Sequence, residues 1–94
     1  MADKEQAKNE DGKQTLKVKV AAPFRTYFDE QAVSISGVNR TGPFDILPGH
    51  HNFITLLEAS ELNIHTPANE EKRIRINGGV MHVKADAVNV FLDV

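Results

Sequence analysis

Histidine carries most of the chemical potential in this chain, at His50, His51, His65 and His82, and no cysteine accompanies it. Two adjacent imidazoles at His50 and His51 suggest metal ligation or acid–base work. A zinc site needs three or four ligands at short paired spacings, and the sequence around the pair supplies none. His82 lies between Met81 and Val83 on an alternating stretch and His65 ends another, so both read as polar strand residues. Ser34, Ser36 and Ser60 lack the strained glycine-flanked elbow that exposes a nucleophile. Gly78-Gly79 is no phosphate cradle, because no helix pattern follows it. The two glycines mark instead a bulge or sharp bend where two backbones approach closely. Lys72, Arg73, Arg75 and Lys84 could line up as a basic binding strip, but a solvated strand face is the simpler reading. The residues therefore lead us to expect no catalytic group, no metal and no cofactor.

What must position the histidine pair is the stretch Gly42-Pro43-Phe44-Asp45-Ile46-Leu47-Pro48-Gly49-His50-His51. Pro48 fixes the φ wanted at the second residue of a tight turn, and Gly49 accepts the positive φ required at the third. Leu47 precedes a proline and is held extended, so Phe44 to Leu47 reads as a short strand that ends abruptly. The turn then presents His50 and His51 at the end of a sheet.

The rest of the chain alternates in the same manner. Leu16, Val18 and Val20 interleave with Lys17 and Lys19, the period of a half-buried strand. Pro23 interrupts, a short extended piece runs from Phe24 to Phe28, and Val33 and Ile35 alternate with Ser34 and Ser36 until Gly37 closes the strand. Asn52 to Leu57, Glu61 to His65, Arg73 to Ile76, Val80 to Val83 and Val88 to Leu92 repeat the pattern between turn signals. No stretch shows apolar residues at helical spacing. The fold class is all-β: an antiparallel β-sandwich or flattened barrel of about ten short strands. Residues 1–14 are polar and aperiodic and read as a disordered tail, leaving residues 15–94 as one domain.

With 94 residues, 40% of them hydrophobic, and a net charge of -2, the chain suits one small globular domain. The N-terminal sequence carries neither a signal nor a transit pattern, and no apolar run approaches a membrane span, so no direct membrane insertion is expected. The charge balance and the scarcity of aromatic residues give no reason to expect nucleic acid.

Two motifs in matching order make the sequence resemble the N-terminal β-domain of the F-type ATP synthase epsilon subunit, called delta in mitochondria. The first, Gly42…Ile46-Leu47-Pro48-Gly49-His50, is similar to the family's Gly-Glu-hydrophobic-Gly-Ile-Leu-Pro-Gly-His loop. The second, Ile76-Asn77-Gly78-Gly79-Val80 with Val83, is similar to its Ser-Gly-Gly-hydrophobic-x-x-Val turn, and Val88-Asn89-Val90-Phe91-Leu92-Asp93 follows like its last strand. The resemblance runs from about Leu16 to Val94. It implies a non-catalytic rotor component coupling proton transport to ATP synthesis, with the gamma subunit and the c-ring as partners. The c-ring contacts it implies are Gly42, Pro43, Phe44, Asp45, Pro48, Gly49, His50 and His51, while Gly78 and Gly79 are structural turns. Gamma would approach the other sheet face and the end of the first strand near Ala22.

The sequence departs from the family at Thr41 and Pro43, which replace acidic residues, at Asp45, which replaces a glycine, and at Glu58-Ala59-Ser60, which replaces a Lys-Pro-Gly turn. The family usually continues into a C-terminal helical hairpin able to bind ATP or inhibit the catalytic head. This sequence ends at Val94, so we expect no ATP binding by these residues. The implied location is peripheral, on the cytoplasmic side of a bacterial inner membrane or its organellar equivalent. The competing reading is a free-standing epsilon-like module that binds another protein through the same loop. A small hydrolase or metal enzyme built on the histidines is a third, disfavoured by its missing ligand set.

Overall fold

In a computed structural model, which describes residues 14–92, the alternation of apolar and polar residues becomes nine strands. They are β1 (Leu16–Ala22), β2 (Arg25–Ala32), β3 (Ser34–Asn39), β4 (Gly42–Ile46), β5 (Phe53–Leu57), β6 (Ser60–His65), β7 (Glu71–Ile76), β8 (Gly79–Lys84) and β9 (Ala87–Leu92). The described residues contain one strand fewer than the ten or so anticipated, and no helix long and apolar enough to cross a membrane. The tail expected over residues 1–14 lies outside the described residues except for Gln14, which already makes a single bridge one residue before order was expected.

Five strands form one sheet in the order β2-β1-β9-β8-β5 and four form the other in the order β4-β3-β6-β7. All neighbours are antiparallel except β1 and β9, which run parallel from Lys17 opposite Ala87 to Ala21 opposite Phe91. Side chains of alternate residues turn inward, as the strand period demands. Leu16, Val18, Val20, Met81, Val83, Val88 and Val90 from one sheet meet Ile35, Ile46, Leu62 and Ile64 from the other, each at most 1% exposed. Burying such side chains contributes roughly 1.5–3 kcal/mol apiece, so this layer dominates stability.

Two local expectations are corrected. The strand at Ile35 does not close at Gly37 but continues to Asn39. Gly37 faces the core, where an added Cβ would already lie 3.3 Å from Leu62 and Phe44, so the glycine makes room within the strand. The second strand runs on past Phe28 to Ala32. Its polar residues are tolerated because β2 is an edge strand whose two buried residues, Phe28 and Ala32, are apolar, and its pairing with β1 shifts register between Val20 and Ala21.

Candidate functional site

The chain enters the candidate site along β4, an edge of the four-stranded sheet. Pairing of Gly37 with Phe44 and of Ile35 with Ile46 turns those side chains inward, so Pro43, Asp45 and Leu47 face out. Proline fits an edge strand, where a missing donor costs the ladder least. Asp45 accepts a hydrogen bond from the Ser36 hydroxyl at 2.5 Å across the pair with β3. Leu47 is 56% exposed. Gly42, with φ of 121°, completes the hairpin from β3, in which Asn39 Oδ1 accepts from the Thr41 amide at 2.9 Å.

Beyond β4 the chain makes a tight turn. The His50 amide donates to the Leu47 carbonyl at 3.1 Å, and Gly49 holds φ at 87° behind Pro48. This is a type II turn, with proline and glycine in the positions that geometry favours. The His50 and His51 rings stack at 4.5 Å with 20° between their planes, and the His50 ring meets the edge of Phe53 at 5.4 Å. His50 Nδ1 lies 2.8 Å from the His51 carbonyl oxygen, so that nitrogen carries the proton and donates it. With one ring nitrogen so occupied, the pair forms an aromatic platform that can pack or hydrogen-bond. Among the described residues no three histidine or acidic side chains converge to hold a metal ion.

The turn is anchored from across the fold. The Gly49 amide donates to Asp86 Oδ1 at 2.7 Å, and the Ala85 amide donates to Asn52 Oδ1 at 3.4 Å. Ala85 and Asp86, with φ of 51° and 66°, form the two-residue turn between β8 and β9, where Lys84 pairs with Ala87. Positive φ at both residues is the mark of a type I′ hairpin. The Asp86 carbonyl oxygen in turn accepts from the Lys17 amide at 2.9 Å.

The residues implied as ring contacts thus form one strip along the β4 edge and the turn beyond it, roughly 13 Å of strand followed by the histidines. Phe44 stands apart. It is half-buried, packs edge-on against Phe53 at 5.8 Å and borders the core. Leu47, which the resemblance did not supply as a contact, occupies the outward position instead. Gly78 and Gly79 lie at the start of β8, the end away from the Ala85–Asp86 turn: Gly78 has φ of 140°, and a Cβ on Gly79 would fall 2.5 Å from the Phe91 carbonyl oxygen. The four basic residues do not make one strip. Arg73 and Arg75 share the outer face of the four-stranded sheet with Glu61, Lys72 points the other way, and Lys84 belongs to the five-stranded sheet.

A second surface is apolar. On the outer face of the five-stranded sheet, Leu56 lies beside Val80, Val80 beside Phe91 and Phe91 beside Ala21, with Ile54 one step along. Leu56 is 71%, Ile54 66% and Phe91 48% exposed. Phe24, at the turn after Ala22, is fully exposed. Leu56, Val80, Phe91 and Ala21 make a continuous apolar row across the sheet, the kind of exposed patch that marks an interaction surface. The signal was present in Phe53-Ile54-Thr55-Leu56-Leu57, where both faces of one strand are apolar.

Residues 15–94 match the family described as the ATP synthase delta/epsilon chain β-sandwich domain. The ATP synthase epsilon chain of Psychrobacter cryohalolentis is 30% identical over 79 residues, covering 84% of this chain and 57% of that one. That of Mycoplasmopsis pulmonis is 33% identical over 76 residues, covering 80% and 54%. The chain therefore spans little more than half the length of these relatives. Its fold is similar to a chain in the Euglena gracilis mitochondrial ATP synthase OSCP/F1/c-ring structure, with a TM-score of 0.78 and 18% identity over 83% of this chain and 50% of that one. It is also similar to one in the central stalk and c-ring structure of the Tetrahymena thermophila mitochondrial ATP synthase, with a TM-score of 0.69 and 17% identity over 85% and 64%. With the Pro-Gly-His turn closing an edge strand and the double glycine seated against the last strand, the chain belongs to the ATP synthase delta/epsilon β-sandwich family.

Proposed function

We propose that this chain is the non-catalytic sandwich of a rotor subunit in an F-type ATP synthase, bridging the gamma subunit and the c-ring so that proton transport is coupled to ATP synthesis. It works peripherally, on the cytoplasmic side of a bacterial inner membrane or the equivalent organellar face. The observation that carries this reading is the presence of two chemically different surfaces, one on each sheet, on a single sandwich. One is the polar β4 edge ending in the Leu47–His51 turn; the other is the apolar row through Leu56, Val80 and Phe91. The ring side is the edge strip of Gly42, Pro43, Asp45, Leu47, Pro48, Gly49, His50 and His51, with Phe44 supporting it from beneath. Gamma covers the apolar row and the exposed Phe24 near Ala22.

Reconstitution tests the reading. Rotor complexes depleted of this subunit regain coupled proton transport when the purified chain is added. Leu47→Ala with His50→Ala weakens ring association and leaves gamma association intact, each truncation of such a contact costing roughly 1–4 kcal/mol. Phe44 is left unchanged in this test, since it packs against the core and its loss would confound binding with folding. Added ATP leaves the melting temperature where it was. If the double variant binds the ring as well as the parent does, the edge strip serves a different partner and the chain is a free-standing module of the same family.

A further inference from the structure

Among the described residues, Asp86 is an unusual expense for the fold. Its side chain stands in a turn, yet the residue is only 7% exposed. Oδ1 accepts from the Gly49 amide at 2.7 Å, while Oδ2 is buried with no hydrogen-bond partner. A buried carboxylate oxygen left without a partner opposes folding. Nor does the hairpin need this side chain: glycine and asparagine serve as well at a φ of 66° in a type I′ turn. What the carboxylate accomplishes is remote from its own hairpin. It reaches a residue 37 positions away and fixes the amide inside the Pro48-Gly49 turn. Asn52 returns the contact by accepting from Ala85, so the segment from Leu47 to Asn52 is tied to one hairpin turn at two points, Gly49 and Asn52.

We propose that Asp86 is the positioning residue of the Leu47–His51 turn, setting its orientation on the sandwich at some cost to stability. The β-turn's own hydrogen bond, His50 amide to Leu47 carbonyl, closes the turn but cannot aim it, because both partners belong to it. The aim comes from a charge-assisted bond to an element held in the sheet by its pairing with β8 and β9, and such bonds are the strong ones. The consequence for the c-ring rests on the function proposed above; the positioning itself does not. Asp86 would thereby join the recognition edge without touching the partner.

Two substitutions separate this role from a purely structural one. Asp86→Gly keeps the hairpin's backbone preference and removes the carboxylate; Asp86→Asn keeps an acceptor oxygen at the same reach. Three quantities are read on the full chain: amide hydrogen exchange at Gly49, the melting temperature, and association with a detergent-solubilised c-ring. For Asp86→Gly, Gly49 exchange accelerates about tenfold or more while amides in β1, β8 and β9 stay protected, and the melting temperature holds or rises. Asp86→Asn restores most of the Gly49 protection. Unchanged Gly49 exchange in Asp86→Gly overturns the proposal, whatever happens to ring association. A fall in melting temperature with exchange rising throughout the sheet also overturns it, in favour of a structural role. Accelerated Gly49 exchange with undiminished ring association upholds the positioning and refutes the ring assignment instead.

Discussion

Substituting alanine at Gly79 should force β8 and β9 apart at the start of their pairing. The added Cβ would lie 2.5 Å from the Phe91 carbonyl oxygen, 3.0 Å from Leu92 Cδ2 and 3.4 Å from Leu92 Cα. Carbon and a carbonyl oxygen rest no closer than about 3.3 Å, so the backbones must part by roughly 0.8 Å. The Leu92 side chain can rotate away, but the Phe91 oxygen is main chain and cannot. A ladder bond stretched by that amount exceeds the hydrogen-bond range, so the rungs at Gly79–Leu92 and Val80–Phe91 weaken together. One or two lost bonds at about 1 kcal/mol each, with overpacking of about 1–3 kcal/mol, sum to about 2–5 kcal/mol. For a domain of this size, at about 4–8 °C per kcal/mol, that lowers the melting temperature by about 8–40 °C. Thermal unfolding followed by circular dichroism measures it, with Gly42→Ala as the comparison. Gly42 has nothing within 4 Å of its missing Cβ and a φ of 121°, so its substitution incurs backbone strain alone. A Gly79→Ala melting temperature within about 3 °C of the parent would refute the close-approach argument.

Other outcomes follow from the same geometry. Gly49→Val should cost about 1–2 kcal/mol or more, Gly49→Ala less and Gly49→Asn least, because φ is 87° while the surrounding space is open. Chemical denaturation would rank the three, and a tolerated valine would contradict the turn type. On the function proposed above, Leu56→Asp with Phe91→Asp should abolish gamma association while shifting the melting temperature little, since both side chains stand outside the core. Pull-down against isolated gamma reads the first and calorimetry the second. Lys17→Ala should change stability by no more than about 1 kcal/mol, because its ion pair with Asp29 at 3.5 Å is exposed at both ends.

The core was legible in the sequence because strand period ties composition to side: Leu16, Val18 and Val20 alternate with lysines, and all three prove fully buried. The Pro48-Gly49 turn was legible for another local reason, since proline and glycine each restrict or permit particular φ values on their own account. What escaped was set by partners distant in sequence. Gly37 looks like a strand terminator until Leu62, Phe44 and Leu57 are brought around it. Asp86 reads as an ordinary turn acid until Gly49 arrives beside it. Polar β2 was cut short because its buried residues, Phe28 and Ala32, stand four apart with only polar residues between them and give no alternation to follow, and pairing with β1 defines it.

The manner in which the two surfaces present themselves constrains how each can bind. An edge strand ordinarily invites another strand to pair with it, yet β4 carries Pro43, which lacks an amide donor, and Asp45, whose charge is held at the edge by Ser36. Both are means by which sheets discourage pairing. Recognition along this edge must then come from side chains and from the turn beyond it, which is why the orientation of His50 and His51 matters more than the ladder. The apolar row has the opposite character. It lies on the flat of a sheet, running from the edge strand β5 across β8 and β9, which are paired on both sides. Binding there gains from area excluded from water and is insensitive to small shifts in direction. For the rotor role proposed above, a directional contact at the edge and an area-driven contact on the face, fixed to one sandwich, would suit transmission of torque between two partners: one side holds register and the other holds on.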